Sequence, residues 1–499
     1  MRHFSPWRPQ WCGASGLLCR VVVALLCVVT WTASDVAAQP GGFGQPGGKQ
    51  PAPKKTGGKV LPNTKPGPKG KGPAKPADTP LNISPDKLPD GYVPPPATPE
   101  LMTLEEPLLT EEEYEASRNL SPYKNRMRKG DLAKEDKDII DKGLKYRLYV
   151  MTLKPNPAWK DKNNDKLKDN ERDLHKRRDE LTQQDLRTAG TLQNKAENQL
   201  AFRKYVLQEI VKLAEPLLKN NFYVRLQAVT LLGELELVPA DPIKNIKLET
   251  FTPACEPLIR VLEDPDQPPP VKIAAARSLV RLCKFAGVNL PPVELRHRIA
   301  KSTLAELAKT DTHYWYQMRL IEVLAALDIT LDLQARKPLI LAGLLNVLND
   351  PQRDWHARAE AAWALGRVPF DPAQTDVPAV MRDLMQFALD LTKAAQQAPT
   401  DPKWKTCLFK VYLAFQPVNA EDREATRRTR AGLLNSPLTT AQSLAQEPYK
   451  LIVPIVNDYV INGKPITAQQ IQAIDAWVQK NKQPAQANVN NGAAAQAGP

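Results

Sequence analysis

The sequence predicts an all-α chain built of repeated helix pairs, preceded by an export signal and a Pro/Gly/Lys-rich linker. Three observations carry that expectation. A helical apolar pattern returns at residues 224, 271, 316, 357 and 404, in steps of 47, 45, 41 and 47. Within each unit the apolar residues fall at i, i+4, i+8 and i+11, which is one face of a helix. Turns carrying Asp or Pro, residues that punctuate helices, separate the helical segments.

The chain opens on Arg2, Arg8 and Arg20 with no acid among residues 1–20, followed by the apolar run VVVALLCVVT (21–30) and the small residues Val36-Ala37-Ala38. A charged start, a short apolar run and an A-x-A-like site make a secretory signal peptide. Residues 1–38 are therefore assigned to a signal cleaved before Gln39. The alternative is an uncleaved N-terminal anchor, although the run is about half the ~20 residues that span a bilayer. No later segment is long and apolar enough to cross a membrane. A bacterial periplasm or cell envelope is the expected destination.

Residues 39–99 contain 16 Pro and form a Pro/Gly/Lys-rich linker with too little apolar surface to offset the entropy of ordering it. The linker explains most of the formal charge of +13. Residues 39–80 carry +7 and the signal +2, leaving +4 for residues 81–499. A nearly balanced body weakens the case for a nucleic-acid-binding solenoid, the alternative that the net charge first suggests. Lysines without interleaved aromatics offer charge but no base stacking, so contact with anionic envelope polymers is the remaining role for the linker.

Residues 100–198 form a charged helical approach. A helix is expected from Asp131 to about Thr152, stopped by Pro155 and Pro157. In DKNNDKLKDNER (161–172) the acids sit at EF-hand offsets, but Lys166 replaces the required Gly and Arg172 the required Glu, which excludes calcium. Leu167, Leu174 and Leu181 mark a helix that folds back on the repeats.

The repeats occupy 199–416. The aligned second helices are FYVRLQAVTLLGEL (222–235), PPVKIAAARSLVRL (269–282), HYWYQMRLIEVLAAL (313–327), WHARAEAAWALGRV (355–368) and, more loosely, DPKWKTCLFKVYLAF (401–415). Ala228, Ala275 and Ala361, with Gly233 and Gly366, let neighbouring helices approach closely. The segments VRLQAVTLLGEL and ARAEAAWALGRV resemble the second helix of a HEAT repeat, V-R-x-x-A-x-x-x-L-G-x-L. That resemblance implies a right-handed α-α superhelix of about five repeats, with second helices lining a concave surface that binds a partner protein. It names no partner and implies no cofactor. Residues 417–482 follow as a helical cap and 483–499 as a disordered tail. The cap is expected to hold a charged helix (421–434), an apolar helix from Tyr449 to Val460 interrupted by Pro454, and a final helix from Pro465 to Gln479.

Candidate partner-binding residues follow from the alignment. Arg225, Lys272, Arg358 and Lys405 share one position in four of the five units, a ladder that would form a basic stripe for an acidic partner. The competing reading is structural: neighbouring acids (Asp264, Asp266, Asp350, Asp354, Asp401) consume the charge. Trp315 and Trp355 precede the apolar face and are expected as exposed anchors, whereas Tyr316 and Trp404 belong to the core. His175, His297, His313 and His356 are scattered, and no catalytic, cofactor or metal motif is present. An enzyme with an unrecognised concave site is the last alternative. Cys255, Cys283 and Cys407 are expected as small buried hydrophobes; a Cys255–Cys283 disulfide is the alternative after export.

Overall fold

Local capping sets the first elements. Helix α1 (Glu111–Ser117) starts on a capping box in which the Thr110 hydroxyl accepts from the Glu113 N–H and the Glu113 carboxylate accepts from the Thr110 N–H. Helix α2 (Ser121–Lys129) ends at Gly130, whose φ of 72° suits glycine. Helix α3 (Lys134–Tyr149) runs into a 3-10 turn at Val150–Thr152, close to the expected span. Helix α4 (Leu174–Asp179) passes through a π turn (Glu180–Asp185) into α5 (Leu186–Thr188).

Five helix pairs follow: α6 (Ala196–Leu217) with α7 (Phe222–Glu234), α8 (Cys255–Glu263) with α9 (Pro269–Lys284), α10 (Val293–Leu307) with α11 (Tyr314–Ala326), α12 (Leu339–Asn349) with α13 (Trp355–Leu365), and α14 (Val377–Gln397) with α15 (Lys403–Phe415). All five expected second helices form. Their starts are fixed by short polar side chains. Asn221, His313 and Asp354 accept from N–H groups in the first turns of α7, α11 and α13, and α9 opens on Pro269 and Pro270. The chain closes with α16 (Thr439–Ile455) and α17 (Ala468–Lys480).

This computed structural model describes residues 107–153, 174–416 and 432–482. All of them lie in one compact unit, Pro99–Pro499. The expected signal, the linker up to residue 99, the 161–172 loop, most of the charged 421–434 segment and the 483–499 tail fall outside the described residues.

The described protein is all-α, with helices packed in sequence order. Each helix packs on its pair mate, and the second helices lie side by side, α7 on α9, α9 on α11, α11 on α13 and α13 on α15. The aligned apolar residues make the core: Val224, Ala228 and Leu232, Val271, Ala275 and Leu279, Tyr316, Leu320 and Leu324, and Ala357, Ala361 and Leu365 are all buried. The loosely matching fifth unit departs at one aligned position. It buries Trp404, Cys407, Leu408, Val411 and Phe415, while Tyr412 is half-buried. At the amino end α3 packs on α6 and α4 on α7; at the carboxyl end α16 and α17 close against α14.

Three local features differ from the sequence expectation. A two-stranded ribbon, β1 (Glu236–Val238) with β2 (Glu249–Thr250), sits between the first two pairs. Helix α16 begins ten residues before Tyr449, because Ala441, Ala445, Pro448, Ile452 and Ile455 keep one buried face across both prolines. Pro454 does not end it; the chain widens into a π turn at Val456–Ile461. The charged 421–434 helix does not extend through its last residues, since Gly432 has φ 91° and begins a 3-10 turn.

Gly233 and Gly366 perform the close-packing role expected of them. A Cβ on Gly233 would lie 2.9 Å from the Cα of Ser278 on the next second helix, and would strike that serine's side chain. A Cβ on Gly366 would collide with the Ala414 carbonyl oxygen and lie 2.9 Å from its carbon. A backbone carbonyl cannot swing aside, so Gly366→Ala should cost about 1–3 kcal/mol, the range for overpacking. Gly233→Ala, which meets a side chain as well as backbone, should cost less. Urea unfolding of both variants checks the order.

Candidate functional site

The basic ladder is a set of clamps. Lys272 is buried; its Nζ donates to the Leu262 carbonyl at the end of α8 (3.0 Å) and pairs with Glu306 of α10 (3.3 Å). Arg358, also buried, donates Nε–H to the Leu348 carbonyl at the end of α12 (2.9 Å), with its guanidinium 4.9 Å from the Trp355 ring and 4.8 Å from Phe387. Arg225 is half-buried and donates to the Asn220 carbonyl after α6. Gln317 stands at the same position in the third unit. It donates to the Thr312 carbonyl (2.8 Å) and accepts from Arg353 of the next unit (3.1 Å), and Gln267 likewise accepts from Arg225 (3.4 Å). An uncharged residue therefore makes the same contacts. What the position supplies is a donor to a carbonyl between the paired helices: helix-terminal Leu262 and Leu348, which lack helical partners, or Asn220 and Thr312 in the loop.

The expectation of a basic stripe is corrected at Lys272 and Arg358, whose charged groups are enclosed between helices. Lys405 is half-buried, with Nζ 5.8 Å from the Tyr459 ring. The competing ion-pair expectation holds at Lys272, which pairs with Glu306 of the next unit, but not through the preceding aspartates; backbone carbonyls receive Arg225, Lys272 and Arg358. Asp264 and Asp350 instead fold their own turns, accepting from the N–H groups of Asp266 and Gln352.

A second stripe lies three, six and ten residues after each first aligned position. It carries Arg277, Arg281, Arg319, Glu322, Glu360, Trp363 and Lys410. Sequence alignment held part of this signal: these positions are polar in the first unit (Gln227, Thr230, Glu234) but in the fifth include buried Cys407 and Ala414. Four of its charges form a network across α11, α13 and α15. Arg319 pairs with Glu322 at 2.6 Å, and Lys410 with Glu360 at 2.8 Å. Trp363 lies between two cations, with Arg367 at 4.5 Å and Lys410 at 5.0 Å from its ring centre. Burial, and then the neighbouring Glu360 carboxylate, push the Glu322 carboxyl above its ordinary range against the pull of Arg319 and Lys410. Arg277 is exposed and has no hydrogen bond or ion pair among the described residues.

The tryptophans separate clearly. Trp315 is 62% exposed, and Tyr223 at the equivalent position of the first unit is 51% exposed. Beside Trp315, Tyr314 stacks between His313 (4.5 Å) and His356 (4.9 Å). Trp355 is instead half-buried, edge-on to Trp404 (5.4 Å) and against Phe387 (5.9 Å). Tyr316 and Trp404 are buried as expected. Of the six candidates, Trp315 alone is exposed.

Other chemistry is sparse. A polar concavity of about 270 Å³ is lined by Ser121, Lys124, Arg128, Asp185 and Thr188 among others, but its acid is held by buried Arg147 at 2.7 Å. His297 is buried, and that burial lowers its pKa. Among the described residues no three His, Cys, Asp or Glu side chains converge as metal ligands, and no helix is long and apolar enough to cross a membrane. Comparison with protein-family models, curated proteins and solved structures gives no match to this chain.

Two predictions follow from the charges. Lys272→Met should remove about 3 kcal/mol, because it strands buried Glu306 and the Leu262 carbonyl. Lys405→Met should change stability by less than about 1 kcal/mol; thermal melts compare the two. Glu322 binds its proton more tightly in the folded chain than in the unfolded one. Stability should therefore fall as pH rises from its ordinary value of 4.5 through the raised folded value. Glu322→Gln should flatten that fall, measured by urea unfolding across pH 4 to 8.

Proposed function

We propose that residues 199–416 form a HEAT-like, right-handed α-solenoid that acts as a non-enzymatic interaction scaffold, exported by the N-terminal signal and held on the Pro/Gly/Lys-rich linker. The observation that carries this reading is the side-by-side packing of five second helices. One unit of this kind cannot bury its own apolar face, and stacking neighbours produces a long continuous surface. On that surface Trp315 and Tyr223 supply exposed aromatic area, and Arg277 supplies an unengaged guanidinium. Aromatic residues and Arg are the types that anchor protein interfaces. The partner that suits them is a protein with an acidic patch beside an apolar pocket.

The linker lysines favour an anionic envelope surface, which would place the solenoid near its partner. The reading includes a bacterial periplasm or cell envelope as its location.

A photo-crosslinking amino acid placed at position 277 or 315 tests the proposal in cells that export the chain. Both positions should yield the same partner adduct, while position 294, exposed on first helix α10, yields none. Equal adducts from all three positions, or adducts only from 294, would contradict the assignment of the second-helix face.

A further inference from the structure

The three described cysteines are all buried with free thiols, yet only two of them are neighbours. Cys255 is the first residue of α8, and Cys283 lies in the last turn of α9. The two helices form an antiparallel pair, so the start of one meets the end of the other. They are 28 positions apart in the sequence, but the fold fixes them together. Two hydrogen bonds pin the register at this end. The Thr250 N–H donates to the Phe285 carbonyl (2.9 Å), and the Thr250 hydroxyl donates to the Leu282 carbonyl (2.7 Å). Thr250 itself is fully buried and leads through Phe251 and the 252–254 turn directly into Cys255. The segment before Cys255 is thereby tied to the residues on both sides of Cys283.

We propose that Cys255 and Cys283 are a disulfide-forming site that staples the α8–α9 pair when the chain meets an oxidising small-molecule or protein disulfide. Cys407, on α15, takes no part. The thiols also sense one another directly: contact with Cys283 is the first cause, and burial the second, that holds the Cys255 thiol well above its ordinary pKa. Such a thiol ionises poorly and resists oxidation in the closed fold. Bond formation therefore belongs to folding, or to a local opening of this end of the pair.

The chemistry balances with a disulfide as oxidant. One cysteine thiolate attacks a sulfur of oxidised glutathione, forming a mixed disulfide and releasing one glutathione thiolate. The second cysteine thiolate attacks the protein sulfur of that mixed disulfide and releases the other. Two protons leave the cysteines, and two electrons reduce the oxidant. The staple closes a loop of moderate length, which restricts the unfolded chain and raises stability.

Refolding the full chain from denaturant in a buffer of reduced and oxidised glutathione tests the proposal, followed by alkylation in denaturant and peptide mapping. The expected product is a linked Cys255–Cys283 peptide pair, 2 Da lighter than the two thiol peptides together, with Cys407 alkylated. The oxidised chain should melt a few degrees above the reduced one. Cys283→Ser should abolish the linked pair and leave the melting point insensitive to oxidant. Alkylation of both Cys255 and Cys283 after refolding would overturn the proposal, as would their linkage to Cys407. The wild-type peptide map decides the question even if the serine variant folds poorly.

Discussion

The close approach of one second helix to the next is the constraint on which the described structure depends. At Gly233 and Gly366 the neighbouring backbone stands where a Cβ would have to go. Ala228, Ala275 and Ala361, all fully buried, sit on the core face of the same helices. That spacing brings apolar side chains of adjacent units into one continuous core and forces polar groups to the margins. Ser278, which packs against Gly233, satisfies its buried hydroxyl by donating to the Val229 carbonyl across the seam at 3.0 Å.

Once the helices are this close, their ends need partners, and the clamps supply them. At the position held by Arg225, Lys272, Gln317 and Arg358, Lys272 and Arg358 reach carbonyls in the last turn of the preceding first helix, while Arg225 and Gln317 reach carbonyls of the loop that follows it. The turn residues Gln267 and Arg353 carry the same device one unit back, donating to the Leu218 and Leu307 carbonyls at 3.1 and 2.9 Å. Each unit is thus fastened both within itself and to its predecessor. Further charges gather between the second helices, where Arg319, Glu322, buried Glu360 and Lys410 neutralise one another across three helices. Arg277 and Trp315 remain outside these fastenings, which is why the proposed scaffold role rests on them.

The amino-acid pattern made the helix pairs legible because burial acts through periodicity: Val224, Ala228 and Leu232 occupy one face whatever surrounds them. The glycine contacts were legible for the same reason, since a small residue at a fixed place in a repeated helix has few other uses. The ladder misled because periodicity reports which residues are equivalent, not where a long side chain ends. Lys272 immediately follows a core residue, and its flexible stem turns back to a helix end that only the tertiary structure supplies. Gln317 was the available clue, since a stripe selected for charge would have no use for an amide there. The β1–β2 ribbon lay below the reach of the pattern, as strands of three and two residues are too short to show a period of two. Trp355 and Trp315 look alike in sequence, but Trp404 and Phe387 from the following unit cover only the first.

If packing between second helices is the organising contact, those flanked on both sides should be the last to open. Native-state amide hydrogen exchange measures this most directly, because it ranks helices by their opening free energy. The account predicts the slowest exchange in α9, α11 and α13, with first helices α8, α10 and α12 exchanging faster. Slower exchange in the first helices than in the second would contradict it.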